Sequence, residues 1–364
     1  MSASDTPPIY QDAENQGVLR TEDLRALASY YGLGRIRSLR VLNRGSGLHS
    51  KSVLQTDHGE YFLKYRSGKA AGSERIEEAH RVHRHLRRTG FPVPSLLVAP
   101  GSERTLFERN GAVYELTQFI HGTVYDRSRA CTHSAGLMLA RFHHAVAVMK
   151  PPNRCEVLSR PYHDETEVVS QLISAARQAV KRTQFTVSSD ELEFLFDNLL
   201  SRYRAASCRA EEKGFFRWPR MIAHGDWHPG NLLFQSNSKV AAVLDLDSMR
   251  FEPRIADVAN GLLQFSMQGG GNDPEDWPTE PDEERLTAFC KGYDDYNKTF
   301  MLSSPEIEVI PYLMIEALIA ESLAPIASTG AFLNIAGDRF LRMVNRKIDW
   351  LMACADQIPP LLGE

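Results

Sequence analysis

The residue types that chemistry needs are concentrated between Ile222 and Asp247. The chain there reads Ile-Ala-His-Gly-Asp-Trp-His-Pro-Gly-Asn-Leu-Leu-Phe, breaks at a polar stretch, and resumes as Ala-Ala-Val-Leu-Asp-Leu-Asp. Asp226 is an acid, Asn231 is an amide five residues on, and Asp245 is a second acid at the end of an apolar run. An Asn carbonyl and an Asp carboxylate are oxygen ligands, which suit a hard cation such as magnesium. A further carboxylate facing a hydroxyl can orient it or take its proton. Together they fit phosphoryl transfer, where catalysis is mostly positioning and electrostatic stabilisation of charge spread over phosphate oxygens.

Local elements would bring the three together. Val240 to Leu244 reads as a buried strand, and Leu232 to Phe234 as its hairpin partner across the turn Gln235-Ser236-Asn237-Ser238. Such a hairpin returns Asp245 to the start of the loop, so Asp226, Asn231 and Asp245 converge. Gly225-Asp226 and Pro229-Gly230-Asn231 are turn formers on any fold. A lone His-Gly-Asp would therefore mean little, whereas the full string with Asp245 behind it is specific.

The string His224-Gly225-Asp226-x-His228-x-Gly230-Asn231, followed by Leu244-Asp245-Leu246-Asp247 and Asp257-Val258-Ala259, resembles the aminoglycoside phosphotransferase and choline kinase-like superfamily. These are small-molecule kinases with a protein-kinase-like fold, and the resemblance spans residues 35 to 350. It implies that Asp226 is the catalytic base and that Asn231 and Asp245 hold magnesium. It also implies that Asp257 is a buried acid supporting the loop. Asp245 takes the place of the aspartate in the kinase Asp-Phe-Gly, without the Phe-Gly. If Asp245 lies on a strand, Asp247 shares its face and could exchange roles with it. His224 and His228 are read as holding the loop through hydrogen bonds.

Upstream, Ile36 to Leu42, Lys51 to Thr56 and Tyr61 to Tyr65 read as strands, with a loop from Asn43 to Ser50. In a kinase such a loop covers the phosphates and the lysine of the third strand meets them. The nucleotide candidates are therefore Gly45, Ser46, Gly47 and Lys64. The loop has Ser50 where the protein-kinase pattern has its third glycine. Gly72 to Arg88 reads as a helix, the element that supplies a kinase's glutamate to the lysine. The resemblance puts that glutamate near position 79, where this chain has alanine. Glu77 and Glu78 stand beside it, and Glu78 is preferred. Strands at Thr105 to Arg109 and Ala112 to Leu116 lead to a hinge at 118–122, whose Gln118 and Ile120 would meet the adenine.

Thr21 reads as the N-cap of a helix that stops at Gly32. Further helices are read at 132–148, 164–181, 189–213 (capped by Ser189-Asp190), 255–267, 283–297, 306–322 and 337–354. Arg250 to Arg254 reads as a loop, and 268–282 as a flexible surface loop that could act as a substrate lid. The fold expected is α+β and bilobal. Residues 1–20 form a mobile tail, 21–117 a small antiparallel-sheet N-lobe, 118–122 the hinge and 123–364 a helical C-lobe.

Composition sets the boundaries. Hydrophobic content of 43% and charged content of 24% are globular values. A net charge of −4 gives no electrostatic footprint for nucleic acid. No secretory signal is read at the N-terminus, and the most apolar region, Val309 to Ile335, is broken by Glu316 and Glu321, so no membrane partner is expected. Cys131, Cys155, Cys208, Cys290 and Cys354 lack metal spacing and read as reduced thiols in a cytoplasm. His80, His83, His85, His143 and His144 complete no ligand set.

The expected activity is transfer of the γ-phosphate of ATP, or GTP, with Mg2+, to a hydroxyl of a small molecule by a monomer or homodimer. Aminoglycoside, amino alcohol, homoserine and sugar acceptors all stay open. Acids at Asp273, Glu275, Asp276, Glu280, Asp282, Glu283 and Glu284 could line a pocket for a polycation. Trp227, Trp277, Tyr293 and Tyr296 could cage a choline. An atypical bacterial Ser/Thr protein kinase and a nucleotide-binding pseudokinase are the rival readings.

Overall fold

Strand-forming β-branched, aromatic and aliphatic residues early in the chain build one sheet, and amphipathic helices fill most of the rest. The computed structural model describes residues 19–42, 50–67, 73–152, 158–159, 163, 165–183, 185–270 and 273–363. Residues 1–18 of the tail, the loop with Gly45, Ser46 and Gly47, the helix starts at Gly72 and Asp164, and Cys155 lie outside the described residues, whereas Leu19, read as part of the tail, is buried at 3% exposure in the core with the first helix and the sheet. The chain divides into two compact units, Met1–His121 and Gly122–Glu364.

In the first unit, helix α1 (Thr21–Tyr31) precedes strands β1 (Ile36–Leu42), β2 (Ser50–Thr56) and β3 (Gly59–Ser67). Helix α2 (Ser73–Arg88) and strands β4 (Leu106–Arg109) and β5 (Ala112–Gln118) complete it. The strands form an antiparallel sheet in the order β1-β2-β3-β5-β4. Leu24, Leu27 and Tyr31 of α1 pack with Leu54, Leu63 and Leu116 of the sheet, and the Tyr31 hydroxyl donates to the Thr105 carbonyl at 2.9 Å. Because side chains alternate along a strand, Lys64 and Arg66 of β3 lie on the face opposite Leu63. Helix α1 has Arg20 as its N-cap, with no side-chain cap bond, so Thr21 is its first helical residue instead.

The second unit is mostly helical. Its elements are α3 (Arg129–Val146), α4 (Thr166–Lys181), α5 (Ser189–Glu212), β6 (Met221–Ala223), β7 (Leu232–Phe234), β8 (Val240–Val243), β9 (Arg250–Glu252), α6 (Arg254–Ser266), α7 (Glu283–Asp295) and α8 (Ser304–Thr329). The two-residue strands β10 (Ala331–Phe332) and β11 (Ile335–Ala336) lead into α9 (Gly337–Ala353), and the short α10 (Ile358–Leu362) ends the unit. Helix α3 packs on α7, and α4, α5 and α6 all pack on α8. The α3–α7 crossing is close enough that a Cβ on Gly136 would stand 2.0 Å from the Phe289 carbonyl oxygen, and one on Gly292 equally close to that of His133.

Several boundaries differ from the sequence reading. Ser188, not Ser189, caps α5, its hydroxyl accepting from the Glu191 N–H at 3.1 Å. Arg250–Glu252, read as loop, is a strand paired antiparallel with Met221–Ala223. Helix α8 runs past both Pro311 and Pro325, from a capping box of Ser303 and Glu306 to a left-handed Gly330. It is long and apolar enough to cross a membrane by length and composition, but 78% of its most apolar window is buried inside the protein. It is the core helix of the second unit.

The described residues of the 268–282 segment do not form a free loop. Asp273 pairs with Arg339, Glu275 pairs with Arg342, and Lys347 donates to the carbonyls of Gln268 and Pro278. Helix α9 thus pins the segment with cations at successive turns.

Candidate active site

The loop between β6 and β7 is held from beneath by one buried carboxylate. Asp257, in the first turn of α6 and 1% exposed, accepts from the backbone N–H groups of His224 and Gly225, the latter at 2.7 Å. His143 of α3 adds its Nε2 to the same carboxylate at 3.1 Å, and its Nδ1 meets the Tyr293 hydroxyl at 2.8 Å. Burial alone would raise the Asp257 carboxyl, but His143, His224 and the Gly225 N–H outweigh it and hold it below the usual carboxylate range. Gly225 has φ 75°, and a Cβ there would stand 2.1 Å from the Ser248 carbonyl oxygen. No other residue fits that turn.

His224 is fully buried, and its two ring nitrogens have separate tasks. Nε2 donates to the Leu244 carbonyl at 3.2 Å, and Nδ1 accepts from the Asp226 N–H at 3.3 Å. That pattern requires the neutral ring, consistent with burial lowering its pKa. The ring therefore ties Asp226 to the residue before Asp245.

Asp226 is half-buried at the surface of this loop. Asn231 donates its side-chain amide to the Asp226 carbonyl at 2.9 Å and to Asp226 Oδ2 at 3.0 Å. This fixes the amide's orientation and directs its carbonyl oxygen away from Asp226. The Asn231 carbonyl accepts from the Leu244 N–H at 2.8 Å, which brings the end of β8 to the loop. His228 Nδ1 accepts from the Gly230 N–H at 3.0 Å, and its Nε2 stands 3.6 Å from Asp226 Oδ2. Burial opposes charge on both partners. Their mutual attraction wins, lowering the Asp226 pKa and raising that of His228.

Asp245 follows β8 rather than lying on it, with φ 60° and ψ 75°, and Asp247 sits in a 3-10 turn. The shared strand face that would make the two carboxylates interchangeable is therefore absent. Asp245 is within electrostatic reach of Asp226 and of both histidines, so the loop and hairpin do bring it to the others. Among the described residues no three His, Cys, Asp or Glu side chains form a metal group. An oriented Asn oxygen and one Asp carboxylate still fit magnesium, which usually takes one or two carboxylates with water and substrate phosphate completing its shell.

One group near Asp226 was not assigned to the site from the sequence. Glu321 of α8 bonds to Gln264 of α6, and burial together with the Asp226 charge pushes its pKa up to about 7. The signal was an acid inside the most apolar stretch of the chain. Glu316, the other such acid, pairs with His163. The aromatic candidates pack separately: Trp227 on His224, Trp277 on Phe340, Tyr293 on His143 and Tyr296 on His144.

In the first unit Lys64 is buried at 5% exposure and stands opposite Glu115 in the β3–β5 register. Glu78 of α2 makes two hydrogen bonds to Arg81, at 2.8 and 2.6 Å, and Glu77 is exposed. Gln118 ends β5, its N–H donating to the Ser95 carbonyl at 2.8 Å, and Ile120 follows outside regular structure.

The model of the phosphotransferase enzyme family matches residues 40–300. The chain belongs to this family. This phosphotransferase is 27% identical to a homoserine kinase of Methylocella silvestris over 255 residues, 68% of this chain and 71% of the relative. The amicoumacin kinase hAmiN, solved with AMP-PNP, Ca2+ and Ami, superposes with a TM-score of 0.67 at 13% identity, covering 93% of this chain and 96% of the other. A microcompartment-associated aminopropanol kinase gives the same TM-score at 14% identity, covering 93% and 99%. At these identities the structural likeness is one of fold, a five-stranded antiparallel sheet followed by a mostly helical remainder. The enzyme is a small-molecule kinase that transfers phosphate to a hydroxyl group.

Proposed function

We propose that the enzyme moves the γ-phosphate of ATP to the hydroxyl of a small amine-bearing acceptor, of the amino alcohol or homoserine type. The observation that carries this reading is the loop Asp226–Asn231, fixed by Asp257 and bonded to the residue before Asp245. Asp226 is the base. Its carboxylate accepts the acceptor's O–H as that oxygen bonds to the γ-phosphorus and the bond to the β-phosphate oxygen breaks. Asn231, through its carbonyl oxygen, and Asp245 would hold Mg2+, which neutralises phosphate charge when bound. Lys64 meets the nucleotide's phosphates, Gly45, Ser46 and Gly47 cover them, and the backbone at Gln118 and Ile120 receives the adenine. The amine is inferred from Glu321, an acid held close to Asp226 whose repulsion an ammonium group would relieve. The hAmiN complex with AMP-PNP and Ca2+ supports nucleotide and divalent metal use, and the homoserine kinase relative supports the acceptor class. The work is assigned to the cytoplasm.

The test is ATP consumption with magnesium across homoserine, ethanolamine, aminopropanol, choline, an aminoglycoside and a neutral sugar. Turnover with an amine-bearing acceptor that disappears in Asp226→Asn supports the reading. Turnover only with the neutral sugar overturns the acceptor class. No turnover with any of them, while magnesium–AMP-PNP still binds, overturns the activity.

A further inference from the structure

Kinases commonly position the phosphate-binding lysine with a glutamate from the helix that follows the third strand. Here the two carboxylates of α2 nearest the expected place are turned to other tasks: Glu78 is engaged by Arg81 and Glu77 is exposed. The residue of α2 that reaches the lysine's face of the sheet is His80. Its Nε2 lies 3.2 Å from Glu115 Oε2, and its Nδ1 lies 2.6 Å from the Thr105 hydroxyl. Glu115 comes from β5 and stands directly across from Lys64. Arg66, two residues along β3 and 1% exposed, meets the same carboxylate at 3.0 Å.

We propose that Glu115 is the positioning residue for Lys64, supplying from the sheet the counter-charge that a helix glutamate supplies elsewhere, with α2 joined to it through His80. Two observations support this. Lys64 and Glu115 are cross-strand neighbours on one face, where side chains stand about 5 Å apart at Cβ. Glu115 remains ionised despite its burial, because Arg66, His80 and Lys64 together hold it far below the ordinary carboxylate range. Such an acid, fixed in a sheet, holds the lysine without requiring α2 to present a carboxylate. The inference rests on the assignment of Lys64 to the nucleotide phosphates.

The sign of the effect separates positioning from a simple field. Removing a negative charge beside Lys64 would tighten nucleotide binding if only the field mattered. Losing the group that orients Lys64 would weaken it. Calorimetric titration of the full chain with magnesium–AMP-PNP tests this in Lys64→Met, Glu115→Gln, Glu78→Gln and the Lys64→Met/Glu115→Gln double variant. Glu115→Gln is expected to bind about tenfold more weakly, with Glu78→Gln within about twofold of wild type, and the double variant no worse than Lys64→Met. Tighter binding in Glu115→Gln, an equal loss in Glu78→Gln, or additive losses in the double variant would each overturn the proposal. Wild-type binding by Lys64→Met would overturn the assignment of Lys64 itself, and the proposal with it. If Glu115→Gln does not fold, Glu115→Asp takes its place. It keeps the charge but withdraws it, so a loss is expected that vanishes in the Lys64→Met background, and a loss that persists there counts against the idea.

Discussion

An aspartate has little proton affinity at neutral pH, so the role proposed for Asp226 depends chiefly on where it is held. Its oxygens are placed by the Asn231 amide and its backbone by His224, and the second placement depends on a neutral His224 ring. Asp226→Asn should cut kcat by roughly 10²- to 10⁴-fold while leaving magnesium–AMP-PNP affinity near wild type. Full activity in that variant would remove the base assignment. His228 provides a subtler check. It lowers the Asp226 pKa against the opposing effects of burial and Asp245. His228→Asn keeps an acceptor for the Gly230 N–H but removes the partner of Asp226, so the Asp226 pKa should rise. The acid limb of the kcat/KM profile should then move to higher pH, and an unmoved limb would mean that His228 does not tune the base. The types and spacing of these residues were plain in the sequence. What was not legible was the division of labour, because the role of each ring nitrogen depends on which backbone groups the fold brings to it.

The loop is an element built on other elements: strand β6 leads into it, β9 lies beside β6, and α6 places Asp257 under it. The hairpin β7–β8 and helix α6 were legible because their periodicity is strong and their turns are polar. The pairing of Met221–Ala223 with Arg250–Glu252 was not, since three residues carry no readable alternation. Helix α8 was read as ending at Ser322, and it continues through Pro325, whose helix-breaking tendency is overridden here by the burial of Ser322, Leu323 and Ile326 on either side. Asp257 is the point at which the elements meet. Asp257→Asn should lower stability by about 3 kcal/mol at pH 7, through weakened hydrogen bonds to two N–H groups and an imidazole. Because the folded pKa lies below the unfolded value of about 3.9, the carboxylate's contribution is fully present above that pH. It is lost as the pH falls through the folded value. Melting curves of wild type and variant should therefore differ across pH 5 to 8 and converge in acid. A gap that persists in acid would mean that Asp257 stabilises by shape and not by charge.

Across the whole molecule, three of the seven acids read as meeting a cationic acceptor are committed to holding the fold. Asp273 and Glu275 pair with α9, and Asp282 caps α7 while pairing with Arg285. The sequence shows such acids as a charge run, and only the packing of α9 reveals their task. Glu321 remains beside the loop, half-buried and in the field of Asp226 and His228. A pKa near 7 makes its charge responsive to what binds: an ammonium group would favour the carboxylate, and a neutral hydroxyl would not. Two consequences follow for substrate choice. The kcat/KM for an amine-bearing acceptor should climb as pH rises through about 7, while that for a neutral acceptor stays flat. In Glu321→Gln the climb should disappear and KM for the amine-bearing acceptor should rise about tenfold, with magnesium–AMP-PNP affinity unchanged. If KM rises equally for charged and neutral acceptors, Glu321 supports the loop through Gln264 and the acceptor's charge is read elsewhere. If only the charged acceptor suffers, one acid inside the most apolar helix of the chain sets what this kinase selects.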